Sequence, residues 1–138
     1  MDVVLVIGRV LFAILFARSG YQHLKDQGMM VGYARAKGVP MPETAIPLTG
    51  VILILGAVSL ALGIYADIGA LLLLIFLVPT ALIMHDYWAQ EDPEAKAADS
   101  IHFYKDTALA GAAVIIFYLY NQGQDIPASI THALLGKF

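Results

Sequence analysis

Eight residues combine reactive side-chain chemistry with positions that fit a ligand-binding site. One of them, Arg9, is an ionisable side chain inside an apolar stretch, where a charge is costly and therefore indicates a buried partner or a function. The other seven lie where apolar stretches end or begin, and they are His23, Lys25, His85, Trp88, His102, Lys105 and Asp106. We treat these eight as candidates for binding a ligand and predict no catalytic residue.

The seven boundary residues belong to three segments whose ends would meet on one side of an up-down helical bundle. A partly hydrated cluster of histidine, lysine and aspartate side chains beside apolar helices can form hydrogen bonds with the carbonyl or hydroxyl of a quinone-like head group. The tail of the quinone would lie between the helices. The alternative is an ordinary membrane interface, because lysine and tryptophan anchor helix ends and Asp106 fits the dipole of a helix N-terminus. Both interpretations stay open at this point.

Arg9, Phe16 and His23 recur every seven residues, which places them on roughly one face of a continuous helix. We expect this face to point into the bundle, because a guanidinium that faces acyl chains is destabilised by several kcal/mol. The alternative is that Arg9 snorkels to the head groups at the membrane surface.

Cysteine is absent from the chain, which excludes disulfides, thiol relays, iron–sulfur clusters and covalent haem attachment through C-x-x-C-H. His23 and His85 could approach each other, but the sequence holds no H-x-x-x-H or H-x-x-E-H spacing, so we predict no haem or metal site. A net charge of -3 without a basic run argues against nucleic acid as a partner. We expect no intrinsic cofactor, and a quinone is the ligand that the cluster suggests.

Apolar helices must position these residues. Hydrophobic residues make up 59% of the 138 residues and charged residues only 14%, whereas soluble domains carry about 25% charge. Lipid is therefore the expected solvent, and we predict a single domain at residues 1–138. Four apolar stretches are predicted to span the membrane, at residues 3–24, 45–66, 68–84 and 104–120.

Strands are excluded for these stretches, because an open sheet leaves backbone groups unpaired in lipid and the stretches lack the alternation of barrel strands. We predict an all-α membrane protein in which four transmembrane helices form an up-down-up-down bundle. A short amphipathic C-terminal tail follows, with Ile126, Ile130 and Leu134 four residues apart and Pro127 in a first helical turn.

The first stretch is similar in length to a secretory signal, but it lacks a basic segment before it and carries Arg9 near its centre, so we predict a retained span. Only Asp67 separates the second and third stretches, which predicts a tight helical hairpin. Six of the eight lysine and arginine residues lie in two long connecting segments, residues 18–46 and 85–106, which overlap the span ends. The positive-inside tendency places these two long loops in the cytoplasm and both termini outside.

Several motifs follow one another along the chain. They are RVLFAILF (9–16) and SGYQHL (19–24) in the first span, GVPMP (38–42) and LGI (62–64) around the second, His85 with Trp88 at the end of the third, and FYKDTALAG (103–111) at the start of the fourth. In this order, they resemble the motifs of one family of small four-span membrane proteins, the DoxX family. His23 lies where members usually have lysine. Two further departures are Leu53, where many members carry glutamate, and Asp106, where asparagine is usual.

The resemblance implies a protein of the bacterial inner membrane, linked in some members to quinone-reducing or redox-stress complexes as a membrane subunit. Our leading hypothesis is a small integral membrane subunit of an oxidoreductase or redox-stress assembly that anchors partners and contributes to a quinone or quinol pocket, without being catalytic alone. The alternatives are a structural accessory subunit without a ligand and a carrier of a small lipophilic molecule. Expected partners are membrane lipids and other membrane or peripheral subunits, or further copies of this chain.

Overall fold

The computed structural model describes residues 2–122 and 125–135, and the regular structure in these ranges is helical throughout. The helices are α1 (Asp2–Lys25), α2 (Gln27–Ala36), α3 (Pro42–Leu62), α4 (Ala66–Pro79) and α5 (Pro93–Asn121). A π-helical segment, Thr80–Met84, continues α4, and a 3-10 turn, Tyr87–Ala89, precedes α5. The prediction of an all-α protein is confirmed.

Three helical segments in the described ranges are long and apolar enough to cross a membrane. They are Asp2–Lys25, Pro42–Leu62 and Ala66–Ala89, with mean hydropathies of 2.0, 2.4 and 2.4. These segments overlap the first three predicted spans, and the second ends at Leu62 rather than at residue 66. The predicted fourth span lies within α5, which does not belong to this set because charged residues occupy its N-terminal half. The crossing by α5 and the up-down order therefore stay predictions.

A tight turn joins α3 to α4. Gly63 ends α3 with a φ of 65°, a left-handed conformation that glycine adopts without strain, and the N–H of Ile64 donates to the Ser59 carbonyl at 2.9 Å. Tyr65, with a φ of 45°, precedes α4. The turn thus lies at residues 63–65 and not at Asp67, which is fully buried in the first turn of α4.

The long helices pack in the order α1, α3, α4 and α5, so that each contacts the next. Glycine permits close approach between them: a Cβ on Gly20 would lie 2.8 Å from the Gly50 carbonyl, and one on Gly56 would lie 3.2 Å from the Gly69 carbonyl. The core is apolar, and its largest fully buried apolar side chains are Leu53, Leu60, Leu73 and Leu77.

The first long loop contains a helix, α2, that the sequence does not predict. It has 10 residues, including Gly28 and Gly32, so it has neither the length nor the propensity to be stable alone. Packing decides its conformation, because α2 lies against α3 and buries Ala34 completely.

The C-terminal tail is not helical between residues 125 and 135, so the predicted amphipathic helix is wrong in that range. Two of its backbone N–H groups donate to the Gly63 carbonyl, at 3.0 and 3.1 Å, and those of Leu134 and Leu135 donate to Asp67 Oδ2, both at 2.9 Å. Acceptors at the α3–α4 turn therefore satisfy donors that a helix would have paired internally. The remaining tail residues lie outside the described ranges.

Candidate functional site

A cavity of about 630 Å³ lies between the helices, and residues from all five helices line it. Small-molecule sites typically measure roughly 300 to 1,000 Å³. The walls of the cavity are mostly apolar, and they include Phe16, Met30, Ile46, Phe76, Leu77 and Leu109. These walls fit a ligand with a substantial apolar part.

One end of the cavity is polar. Four of the eight predicted site residues line the cavity: His23, His85, Lys105 and Asp106. Asp106 Oδ2 lies 3.7 Å from His85 Nε2 and its Oδ1 lies 3.4 Å from Lys105 Nζ, and we call these three residues the polar end. His23 lies beside Phe76 in another part of the lining. The end of α1, the segment that continues α4, and α5 therefore all contribute to one cavity, and the binding of a ligand by these residues stays a prediction.

The cavity lining does not include three other predicted residues. Lys25 is exposed at the end of α1. Trp88 is 53% exposed and packs against Phe103, with 5.5 Å between ring centroids. His102 is exposed and stacks on His85, with 4.9 Å between ring centroids. Only His102 thus contacts a member of the polar end directly.

Arg9 lies toward the opposite end of the bundle and does not line the cavity. It is 8% exposed and points inward, with Nη1 donating to Tyr120 Oη and Ser129 Oγ, both at 3.0 Å, and Nη2 donating to the Ala128 carbonyl at 2.6 Å. The guanidinium therefore faces the bundle, as its position in α1 predicts, and does not snorkel. Its contacts join α1 to α5 and to the C-terminal segment.

Two carboxylates of α5 flank His85. Its Nδ1 lies 3.4 Å from Asp99 Oδ1, and its Nε2 lies 3.7 Å from Asp106 Oδ2. Asp99, His102 and Asp106 are spaced by three and four residues, so α5 presents them on one face. This spacing is the sequence signal for Asp99, a residue absent from the predicted set.

Lys37, in the connection between α2 and α3, forms salt bridges with carboxylates near His85. Its Nζ donates to Asp86 Oδ1 at 2.6 Å and to Asp99 Oδ2 at 3.1 Å, and Gln90 Nε2 donates to the same Asp99 oxygen at 3.0 Å. Burial disfavours charge on Lys37, but the bonds to the two carboxylates outweigh burial and raise its pKa. Burial likewise disfavours charge on Asp99, but bonds with Lys37 and His85 lower the pKa of that carboxyl. Lys37 and Asp99 are therefore both charged at neutral pH.

Asp106 is a buried carboxylate at the polar end. Only 6% of its side chain is exposed, and Lys105 Nζ lies 3.4 Å from its Oδ1. The Lys105 side chain is 42% exposed, and its Nζ lies 3.2 Å from His102 Nδ1. The cavity is thus lined at this point by a carboxylate acceptor with an ammonium donor beside it.

His23 is oriented by a threonine of α3 that the sequence does not single out. His23 Nδ1 lies 2.9 Å from Thr49 Oγ1, and Thr49 Oγ1 in turn donates to the Ile46 carbonyl at 2.9 Å. The imidazole also packs edge-on against Phe76, with 5.8 Å between ring centroids. These contacts hold the ring of His23 against the cavity wall.

The arrangement supports hydrogen bonding to a head group that carries oxygen. The polar end combines imidazole, ammonium and carboxylate groups, which supply both donors and acceptors. Within residues 2–122 and 125–135, no cluster of three or more His, Cys, Asp or Glu side chains has the arrangement of a metal site. The imidazole, ammonium and carboxylate groups of the polar end can bind a ligand and exchange protons with it.

Comparison with known proteins agrees with a membrane protein. The family model described as DoxX matches residues 4–86, more than half of the chain, and this range includes His23 and His85 but not Lys105 or Asp106. The chain is 28% identical over 114 residues to the inner membrane protein YphA of Escherichia coli (strain K12), a match that covers 83% of this chain and 81% of that protein. No solved structure matches significantly. With its three helical segments of membrane-spanning hydropathy, the chain is a membrane protein that belongs to the DoxX family.

Proposed function

We propose that the protein is a membrane subunit of an oxidoreductase or redox-stress assembly and that it binds a quinone or quinol. The observation that carries the proposal is the cavity of about 630 Å³, whose apolar walls lead to the polar end. A quinone requires this combination, because its ring oxygens form hydrogen bonds while its tail is apolar.

The head group would lie among partners of both hydrogen-bonding types. Lys105 donates and stabilises negative charge on an oxygen, and such charge-assisted bonds are stronger in a partly dry pocket than in water. Asp106 accepts from a hydroxyl. His85, between Asp99 and Asp106, can take up a proton on one ring nitrogen and release one from the other. Partners of both types suit a head group that alternates between carbonyl and hydroxyl.

The family supports the subunit role, because some DoxX members are linked to quinone-reducing or redox-stress complexes. In such an assembly, a partner subunit with a redox centre would supply the electrons, and this chain would hold the quinone. By the positive-inside tendency, the polar end and the two long loops would face the cytoplasm of a bacterial cell.

Quinone retention tests the proposal. Protein purified in mild detergent should carry a quinone that organic extraction releases, whereas His85→Ala and Lys105→Met should each retain less of it at a normal yield of monomer. The double variant should reveal coupling, because residues that contact one head group do not act independently. Wild-type protein that retains no quinone, and binds none when it is supplied, would favour a structural accessory subunit.

Blocking the cavity walls tests where the quinone lies. Ala45 of α3 is half-buried and lines the cavity, whereas its neighbour Thr44 is exposed. Ala45→Phe should occupy part of the cavity and reduce quinone retention, while Thr44→Phe adds the same ring outside and should leave retention unchanged. Equal retention by the two variants would place a bound quinone outside this cavity.

A further inference from the structure

The hydroxyl hydrogen of Thr49 decides which nitrogen of His23 is protonated. Thr49 Oγ1 lies 2.9 Å from the Ile46 carbonyl and 2.9 Å from His23 Nδ1. A carbonyl can only accept, so the single hydroxyl hydrogen of Thr49 is directed at Ile46. The lone pairs of the hydroxyl oxygen remain for His23, and Nδ1 is therefore the donor in that bond.

A hydrogen on Nδ1 makes the other nitrogen of His23 an acceptor, because a neutral imidazole has one nitrogen of each kind. The neutral form is favoured, since His23 is half-buried beside Phe76 and no carboxylate is among its described contacts. The Ile46 carbonyl is a further acceptor beside the ring and reinforces the same tautomer. His23 also lines the cavity, so its acceptor, Nε2, is available to a ligand.

We propose that the cavity selects a head group with a hydroxyl over one with a carbonyl at the same position. A hydroxyl donates to His23 Nε2 while the bond from Thr49 to Ile46 stays intact. A carbonyl meets an acceptor instead, so His23 must change tautomer and the hydrogen bond from Thr49 to the Ile46 carbonyl must break. The ligand class is an amphiphilic quinol or alkylphenol, and this inference rests on the proposed function because it concerns the same cavity.

The charged residues of the lining do not decide between the two head groups. Asp106 is an acceptor and Lys105 is the ammonium donor that accompanies it. His85 does not change this balance, because a neutral imidazole offers one donor and one acceptor. The preference is therefore assigned to His23 and Thr49.

Three probes that share a decyl chain test the preference. They are a benzohydroquinone, the corresponding benzoquinone, and the dimethyl ether of the hydroquinone, which has no hydroxyl hydrogen. Binding to the full chain in lipid nanodiscs is measured by calorimetry without oxygen. We expect the hydroquinone to bind about tenfold more tightly than the quinone, the factor that one well-placed hydrogen bond supplies. The ether should bind no more tightly than the quinone.

Threonine variants test whether Thr49 sets the preference. Thr49→Val removes the hydroxyl with little change of shape, so His23 can adopt either tautomer and the ratio of the two affinities should approach one. Thr49→Ser keeps the hydroxyl and should keep the ratio. Thr80 lines the cavity too, and Thr80→Val should also keep the ratio. The ratio is the readout, because a merely structural effect weakens the binding of both probes.

The outcomes separate this inference from the proposed function. Equal affinities for hydroquinone and quinone in the wild type overturn this inference alone, and so does a preference that survives in Thr49→Val. If none of the three probes binds, the proposed function is overturned together with the inference.

Discussion

At the residue scale, Arg9 shows how an ionisable side chain is accommodated in an apolar helix. Its guanidinium donates to Tyr120 of α5 and to Ala128 and Ser129 of the C-terminal segment. These bonds satisfy the two terminal nitrogens, while Nε has no hydrogen-bond partner among the described residues. Hydrogen bonds that replace water are the condition for a buried charge in a membrane protein. Arg9 therefore joins distant parts of the chain and lies away from the cavity.

Arg9→Leu should lower the thermal stability of the protein. Tyr120, Ser129 and the Ala128 carbonyl lose a charged donor, and a hydrogen bond to a charged group contributes about 1.5 to 3 kcal/mol. The melting temperature in detergent measures the loss, and Arg18→Leu is the control because Arg18 is exposed on the same helix. A melting temperature unchanged from the wild type would contradict the structural role of Arg9.

Asp99 should make stability depend on pH in the acid range. Burial alone would raise the pKa of its carboxyl, but the bonds with Lys37 and His85 hold it below the unfolded value of about 3.9. A carboxyl with a lowered folded pKa contributes stability that is fully present above the unfolded pKa and is lost as the pH falls through the folded pKa.

Asp99→Asn should therefore flatten the decline of the melting temperature between about pH 5 and pH 2. Its melting temperature should also be lower at neutral pH, because Lys37 and His85 lose a charged partner. Glu91→Gln serves as the control, since Glu91 is an exposed carboxylate just before α5. Identical acid profiles for Asp99→Asn and the wild type would show that these bonds do not affect stability.

At the element scale, α2 shows how the bundle stabilises a short helix. Ala34 is completely buried, Tyr33 Oη donates to the Met84 carbonyl at 3.4 Å, and Lys37 follows the last turn with its bonds to two carboxylates. Because Met30 lines the cavity, α2 is part of the cavity wall. The position of this part of the cavity wall therefore depends on contacts between α2 and residues outside it.

Lys37→Met should loosen α2. Without the bonds to Asp86 and Asp99, local opening of the helix costs less free energy, so its amides should exchange with deuterium faster. Hydrogen exchange with mass spectrometry measures peptides that cover residues 27–36, and Lys96→Met is the control because Lys96 is exposed in α5. Unchanged exchange in this segment would mean that packing against α3 alone holds α2 in place.

At the scale of the whole molecule, the membrane topology depends on whether α5 crosses the membrane. α5 packs along α4, which belongs to a segment of membrane-spanning hydropathy. Its C-terminal half is apolar, and Tyr120 near its end meets Arg9 near the start of α1. These contacts favour a fourth crossing, with the two ends of α5 on opposite sides of the membrane.

Cysteine labelling should reveal this crossing, and the chain has no cysteine of its own. Lys96 and Asp125 lie on either side of the apolar half of α5, and both are exposed. In intact cells, an impermeant thiol reagent should label Asp125→Cys, whereas Lys96→Cys should be labelled only after the cells are permeabilised. Labelling of both in intact cells would contradict a crossing, and labelling of Lys96→Cys alone would reverse the orientation.

The sequence by itself determined the helical class and the first three apolar segments. In lipid, every backbone N–H and C=O must pair within its own helix, so composition and length are enough to identify these segments. The position of His85 beside Asp106 was also predictable, because each lies near the end of an apolar stretch and consecutive stretches were expected to reverse direction.

Only the tertiary structure decided which groups pair with these residues. Lys37 meets carboxylates 49 and 62 residues away, and Thr49 meets His23 across two helices. The periodicity of the tail predicted a helix, but Gly63 and Asp67 accept its backbone hydrogens instead. Such contacts form only when folding brings together groups that are far apart in the chain. The free energy of a polar contact depends on how deeply its two groups are buried, and sequence neighbours do not determine that burial.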